Sequence, residues 1–362
     1  MRRTPVLIIG GGPAGSAAAI TLARGGVQPD LVERTAGPHD MVCGGFLGWD
    51  ALAALRRLGI DAGALGARPI HRVRLVAGTR IAEADLPYPA AGLSRRLLDD
   101  RLLAAAAAAG VRITRGRTVR SFDEASSTAR LDDGSKVGAD AMFLATGKHE
   151  LRGAPRPVGK RSLSAGLRVA LPKDAARDRE LGGVIELHLF DEGYSGLLLQ
   201  EDGTTNLCLS VSPRRLNAAG GVEGFVSELL VEAPILAERI GGDLPGGWRA
   251  IAGVPYGWRA QETSPGLFRV GDQAAVIASL AGDGIAIAVT SGIGAAEALL
   301  AGGAPAAPAW QQDFRRRAAR PIGAAQLLRY GVERKLPRRG LMQMLALAPG
   351  LGSLAARLTR IG

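Results

Sequence analysis

Near its start the chain reads VLIIGGGPAGSAAAITLARGG: an apolar strand from Val6 to Ile9, glycines at Gly10, Gly12 and Gly15, then a helix of small residues. Strand, glycine turn and helix in that order are what a dinucleotide-binding βαβ unit requires. Gly10 permits the tight turn, Gly12 lets the backbone approach a pyrophosphate, and Gly15 allows close helix packing. Pro13 stands where a first helical turn tolerates a missing N–H, and Ser16 to Ala19 keep the helix thin enough to lie on a sheet. The free N–H groups and partial positive charge of the helix start make phosphate the expected guest. A second strand, QPDLVER, ends at Glu33, about 20 residues past the glycines, where an acid accepts hydrogen bonds from ribose hydroxyls. This turn alone serves NAD and FAD equally.

With 362 residues, 47% hydrophobic and 22% charged, the chain can bury the core of two closely packed subdomains. Its two cysteines, Cys43 and Cys208, form no CxxC and accompany no metal-like His cluster. A disulfide scaffold and a metal site are therefore not expected, and a reducing, cytoplasmic compartment is. The N-terminal apolar run enters the glycine turn directly, which reads as a core strand rather than a signal peptide, and no stretch approaches the ~20 apolar residues of a membrane span.

The net charge of +11 is unevenly spread. From residue 313 onward eleven Arg and Lys face two acids, Asp313 and Glu333, so +9 of it sits in the tail. Interleaved with GLMQMLALAPGLGSLAARL, this tail reads as a solvated basic helical cap or as a peripheral contact to the inner membrane surface. Sparse aromatic interleaving argues against nucleic acid.

Past Glu33, a glycine loop in MVCGGFLGWDALAALRRLGI leads to a helix with Leu52, Leu55 and Leu58 at helical spacing. A second helix, in GLSRRLLDDRLLAAAAAAG, ends at Gly110. A meander with an Asp132-Asp133-Gly134 hairpin turn returns the chain to the first sheet. Residues 162 to 258 carry alternating strands and one helical segment from Val222 to Ile240, which predicts an inserted antiparallel sheet. His188 is expected at its exposed rim. The stretch GGAPAAPA at 302 to 309 reads as a linker to the tail.

Residues 271 to 297, GDQAAVIASLAGDGIAIAVTSGIGAAE, follow the strand GLFRVGD. An acid at a strand end, Asp272, suits a sugar-alcohol chain, while Gly282 and Gly284 at a helix start present N–H groups to an electron-rich carbonyl. NAD has no ribityl chain and no need of this second site; FAD needs both. With the two motifs in order over residues 5 to 300, the chain resembles the FAD-dependent oxidoreductases of the aromatic-hydroxylase (flavin monooxygenase) and geranylgeranyl-reductase superfamily. The resemblance implies an α/β, Rossmann-type FAD-binding domain (glutathione-reductase-like, p-hydroxybenzoate-hydroxylase-like). It would span residues 1–160 and 259–303, with an inserted antiparallel β substrate domain at 161–258 and a basic helical C-terminal region at 304–362.

Carried over by position, Gly10, Gly12 and Gly15 would cradle the pyrophosphate with Pro13 and Ala14. Glu33 and Arg34 would lie at the adenosine ribose, and Arg95, with Asp99 one turn on as its ion-pair partner, would fix FAD. Asp272, with Gly271, would hold the ribityl chain or pyrophosphate, and Ala145 and Gly147 would line the site. Gly282, Gly284 and Ile285 would face the pyrimidine edge of the flavin. Cys43 and Gly44 resemble the Cys-Gly-Gly loop of geranylgeranyl reductases beside the flavin, and Tyr194 would lie over the substrate pocket. Cys43 and Tyr194 are the catalytic candidates, and Lys148 and His149 sit in a loop near the flavin. Thr146-Gly147 stands where hydroxylases commonly carry Asp-Gly, Ala278-Ser279-Leu280 stands where a proline is usual, and the halogenases' Trp-x-Trp-x-x-Pro element is absent.

The first expectation is a monooxygenase that hydroxylates a hydrophobic phenol, quinone or polyketide, its flavin reduced by NAD(P)H. The alternative is an ene-reductase acting on prenyl double bonds. A redox-neutral cyclase or isomerase, or a flavin-binding partner protein, is the third.

Overall fold

The computed structural model describes residues 2–157, 163–241, 246–348 and 350–361. The chain opens with β1 (Arg2–Ile9), α1 (Pro13–Arg24) and β2 (Asp30–Glu33), followed by β3 (Phe46–Leu47), α2 (Trp49–Arg57), β4 (Arg68–Ala77), β5 (Arg80–Gly92) and α3 (Arg95–Ala108). Strand β6 (Arg112–Arg115) precedes the meander β7 (Val119–Asp123), β8 (Thr128–Leu131) and β9 (Lys136–Leu144). Then come β10 (Ser164–Leu171), α4 (Ala175–Leu181), β11 (Gly183–Phe190), β12 (Gly193–Leu199), β13 (Thr205–Val211), α5 (Pro213–Ala218), α6 (Val222–Glu232), α7 (Pro234–Ile240), β14 (Arg249–Val254) and β15 (Leu267–Arg269). Five helices close the chain: α8 (Gly284–Gly302), α9 (Ala307–Arg317), α10 (Ala319–Val332), α11 (Lys335–Leu347) and α12 (Gly350–Leu358).

The first sheet runs β6-β2-β1-β9-β8-β7, with β15 beside β9. Strands β6, β2, β1, β9 and β15 are parallel, with Ile9 opposite Val32 and Leu144, and Leu144 opposite Arg269. Their carboxyl ends therefore finish on one edge, where an α/β sheet binds its ligands. The glycine turn, Glu33, Ala145 and Gly271 all follow from that edge. Helices α1 and α8 cross beneath it: a Cβ on Gly292 would meet the Ala14 carbonyl at 2.3 Å, so only glycine permits the approach. Helix α8 is long and apolar enough to cross a membrane, but half of it is buried in this core.

The second sheet, β14-β10-β13-β12-β11-β4-β5-β3, is antiparallel except where β11 meets β4. It corrects the expected domain boundary, because β3, β4 and β5 come from residues 46–92 and the second sheet is not confined to 161–258. The strand Gly183–Phe190 completes its hydrogen bonds on β4 rather than within its own segment. The boundary at 160–161 lies outside the described residues. Two further expectations are corrected. The Val222–Ile240 helix is two helices, because Pro234 has no N–H to donate and Ala233 before it leaves the helical region at φ −120°, ψ 76°. The stretch at 302–309 is not a free linker: Ala307 is fully buried and the Ala304 carbonyl accepts from the Gly266 N–H at 2.8 Å. The Asp132-Asp133-Gly134 turn forms as expected, with Gly134 at φ +83° and the Leu131 N–H donating to Ser135 at 2.9 Å.

His188 is buried, not at a rim. Its Nε2 donates to Glu186 at 2.9 Å, and Arg74 (2.8 Å) and Arg239 (3.1 Å) meet the same carboxylate, which ties β4, β11 and α7 together. Burial alone would raise the Glu186 carboxyl; the His188 hydrogen bond and charge, with the two guanidinium groups, reverse that and hold it at about 2 instead of 4.5. The folded pKa is depressed, so this stabilisation is present above pH 4.5 and is lost as pH falls toward 2. Urea midpoints measured across that window are expected to fall more steeply for the native chain than for Glu186→Gln; parallel curves would remove the network from the acid response.

Candidate active site

Two of the motif glycines are set by backbone crowding and the third by open space. Gly10 has φ +108°, and a Cβ there would sit 2.4 Å from the Ala145 carbonyl oxygen; one on Gly15 would sit 1.9 Å from the Gly10 carbonyl oxygen. Gly12 caps α1 without a side-chain cap, with Pro13 next, and a Cβ on it would have Arg95 Nη2 as its nearest neighbour, at 3.5 Å. That opening, at the positive end of α1, is a cradle of the right chemistry for a pyrophosphate.

Glu33 is buried beside it. Its carboxylate accepts from the Gly11 N–H at 2.7 Å and from the Thr35 N–H and hydroxyl at 2.9 and 2.7 Å. Burial pushes this carboxyl up, but the three hydrogen bonds more than reverse it and hold it below its ordinary value. An ionised acceptor at the end of β2 has lone pairs left for ribose hydroxyls. Ser94 caps α3, accepting from the Leu97 N–H at 3.2 Å, which aims Arg95 at the glycine turn. Arg95 is bidentate to Asp99 at 2.7 Å through Nε and Nη2. Burial works against its charge, and Asp99 outweighs the burial and raises its pKa.

The loop carrying Cys43 is held by its carbonyls. Lys148 Nζ donates to Val42 (3.2 Å), and Asn206 Nδ2 donates to Cys43 (3.0 Å) and Gly44 (2.7 Å). Asn206 in turn accepts from Arg168 Nε at 2.8 Å, and Arg168 pairs with Asp40. On the opposite wall Gly271, φ +61°, lies close to Ala14, and its N–H donates to Ser291 at 2.8 Å, which brings Asp272 to the mouth of α1. Gln273 donates to the Gly147 and His149 carbonyls at 2.9 and 3.0 Å, clamping the 145–149 loop. Burial weighs against the Lys148 ammonium, but Asp272 leads the groups that raise its pKa, so it stays charged. Cys208 faces the same space, and burial, with Cys43 adding, pushes its thiol up to about 12.

At the start of α8, Gly282 (φ +71°) packs on Phe46, and the buried Asp283 accepts from Arg360 at 2.9 Å and from the Ile361 N–H at 3.1 Å. The Arg360 guanidinium lies over Trp49, 4.6 Å from the ring centre. The C-terminus thus folds back onto the glycine loop as a cover. Just upstream, the Ser279 hydroxyl is hydrogen-bonded by both Tyr194 and Tyr256, the latter at 2.7 Å. Burial raises the Tyr194 phenol well above its usual value, so it keeps its proton.

One cavity of about 1160 Å³ joins these parts. Gly10, Gly12, Pro13, Ala14, Glu33, Arg34, Cys43, Gly44, Arg95, Ala145, Gly147, Tyr194, Gly271, Asp272, Gly282, Gly284 and Ile285 all line it, as do Lys148 and His149. Gly15 does not: its place is beneath the turn, against Gly10. Beyond the α8 glycines the cavity continues as an apolar arm walled by Leu75, Leu86, Leu187, Leu341, Leu345 and Leu358. Sequence reasoning missed Asn206, Arg168, Gln273, Ser279 as a hydroxyl partner, and the Asp283–Arg360 pair. Among the described residues no group of three or more His, Cys, Asp or Glu is arranged to hold a metal ion.

Residues 3–150 match the family described as FAD binding domain. An FAD-binding domain thus accounts for the first two fifths of the chain. A stretch of 162 residues, 42% of this chain, is 34% identical to menaquinone reductase of Mycolicibacterium smegmatis and spans 39% of that relative. The chain thus aligns with about two fifths of the curated relative's length. Two solved structures share the fold across almost the whole chain. A flavoprotein/dehydrogenase from Cytophaga hutchinsonii has a TM-score of 0.82 at 19% identity, covering 99% of this chain and 92% of that one. A geranylgeranyl bacteriochlorophyll reductase-like protein from Thermoplasma acidophilum has 0.80 at 19%, covering 98% and 96%.

The glycine geometry separates folding from binding in this flavoprotein. Gly12→Val is expected to leave far-UV circular dichroism and the melting temperature of the flavin-free protein unchanged while bound flavin drops to trace levels. Gly15→Val is expected to yield little folded protein. Full flavin loading of Gly12→Val would move the pyrophosphate elsewhere.

Proposed function

We propose that this FAD-dependent oxidoreductase adds two hydrogens across a carbon–carbon double bond of a prenyl-type chain, with a nicotinamide as the electron source. The observation that carries the reading is the apolar arm, which leaves the flavin-facing glycines of α8 and runs between the second sheet and the C-terminal helices. Its walls are leucines of β4, β5, β11, α11 and α12, a lining that suits a hydrocarbon chain. The names of the menaquinone reductase relative and of the geranylgeranyl bacteriochlorophyll reductase-like structure support it.

FAD supplies the two-electron chemistry when bound. The protein's residues do the rest. Gly12, the α1 N-terminus, Glu33 and Arg95 would bind the adenosine diphosphate half, and Asp272 the ribityl chain. The α8 N-terminus favours negative charge on the ring. Leucines of the arm and the C-terminal cover exclude water, which strengthens each polar contact inside. Reduction of an alkene also takes one proton at carbon. Tyr194 carries one at Oη, and Ser279 and Tyr256 form a hydroxyl path behind it. Cys43, beside Arg95, would act as a shaping group.

Hydroxylation of a phenol or quinone ring is the second reading. The paired Tyr194 and Tyr256 hydroxyls favour it, since they would orient an aromatic hydroxyl.

Mass spectrometry of products formed from prenylated quinones decides between the two. A product two hydrogens heavier, formed without oxygen, is expected. A product one oxygen heavier, formed only in air, would transfer the assignment to hydroxylation, and an unchanged mass under both conditions would overturn both. Tyr194→Phe is expected to slow reduction about a hundredfold or more, the range of a general acid, with an unaltered flavin spectrum; undiminished turnover would remove its proton role.

A further inference from the structure

Seven of the twelve most exposed large apolar side chains among the described residues fall between Leu327 and Leu354. Leu336 is 77% exposed and Leu347 87%, which is extreme for leucines on packed helices. Helix α11 buries Arg338, Met342 and Leu345 at helical spacing, so Leu336 and Leu347 stand on the opposite face. The helix is therefore apolar on both sides, although its chain partners cover only one. Met344, Leu351 and Leu354 are exposed and also line the cavity, so its apolar arm opens onto this same surface between α11 and α12.

The charge of the patch selects what covers it. Arg334, Lys335 and Arg339 are exposed beside it, and among the described residues none of the three pairs with a carboxylate. The acids of the tail are already engaged, Asp313 by Arg316 and Arg317, and Glu333 by Arg329. A second copy would bring these cations against their own equivalents across a two-fold axis, which electrostatics opposes. Basic residues flanking exposed leucines match the polar and apolar layers of an anionic lipid surface.

We propose that the face formed by α10, α11 and α12 docks on an anionic bilayer. Leu347, Leu351 and Leu354 enter the headgroup–acyl boundary, and Arg334, Lys335 and Arg339 lie at the phosphates. The cavity mouth then faces the acyl layer, so a hydrocarbon-chain substrate passes from bilayer to site without crossing water. That last step rests on the reading above; the docking itself does not.

The test uses the full-length holoprotein in vesicle co-sedimentation. The native chain is expected to partition onto mixed phosphatidylglycerol–phosphatidylcholine vesicles far more than onto phosphatidylcholine alone, and to be released by salt. Replacing Arg334, Lys335 and Arg339 together by Gln is expected to weaken partitioning roughly a hundredfold. Leu336→Gln with Leu347→Gln is expected to lower it as well, both variants keeping full flavin content because the altered side chains are exposed and lie outside the cavity lining. Equal partitioning of all three proteins, no binding of the native chain to either vesicle, or a dimer in light scattering that Leu347→Gln dissolves would each overturn the proposal. Turnover separates the two readings. A water-soluble quinone with one prenyl unit is expected to be reduced equally by all three proteins, and a long-chain quinone embedded in vesicles more slowly by the variants. Failure to reduce either quinone while vesicle binding follows the expected order would refute the reductase reading and leave the docking standing.

Discussion

The site depends on how closely α1 lies against the ends of β1 and β9. Gly15 rests on the Gly10 carbonyl and Gly10 rests on Ala145, with no room at either contact for a single extra carbon. On the other side of α1, Gly292 of α8 touches the Ala14 carbonyl under the same restriction. Gly10 and Gly15, together with Gly292 far along the chain, thus place two helix N-termini at one sheet edge. Because both helices are fixed by backbone contact rather than by side chains, the positive ends of their dipoles are oriented before any ligand arrives. Such preorganisation reduces the cost of binding an anionic group.

Around this rigid centre the walls are held by longer-range polar contacts. Asn206 reaches from the second sheet to two carbonyls of the Cys43 loop, and Gln273 reaches from the Asp272 turn to two carbonyls of the 145–149 loop. Each contact satisfies part-buried carbonyls in a loop that has no strand neighbour to do so. The C-terminal helices are joined to the same centre through Asp283, whose buried carboxylate takes both Arg360 and a backbone N–H of the last turn. Burial and the neighbouring Asp50 raise the pKa of Asp283, with Arg360 opposing them. The cover over the apolar arm and the glycine loop facing the ring are therefore mechanically one unit.

What the sequence made legible follows from range. The glycine turn, Glu33, Arg95 with Asp99, and the Asp272 and Gly282–Gly284 loops are local patterns whose spacing carries their meaning, and the structure brings all of them to one cavity. The segment from 68 to 92 was not legible as part of the second sheet: its strands are half-exposed, so β4 has no clean period-two pattern, and Pro87 and Pro89 interrupt β5. Asn206, Arg168 and Asp283 were missed because their roles lie in partners at least 32 positions away, which only strand pairing and chain return bring near. The Ala233-Pro234 break was written in the sequence and overridden there by apolar periodicity. The alanines near 306 look like a linker by composition, yet small residues are also what close packing against Gly266 requires.

The central claim is that the N-terminal turn and the distal loop hold opposite ends of one molecule. The direct measurement is retention after ultrafiltration of flavin-stripped protein mixed separately with FAD, FMN and riboflavin. One FAD retained per chain, with FMN and riboflavin washed away, is the expected result, because the adenosine diphosphate half supplies the contacts to Glu33 and the α1 N-terminus. Retention of FMN as complete as that of FAD, or of no flavin at all, would contradict it.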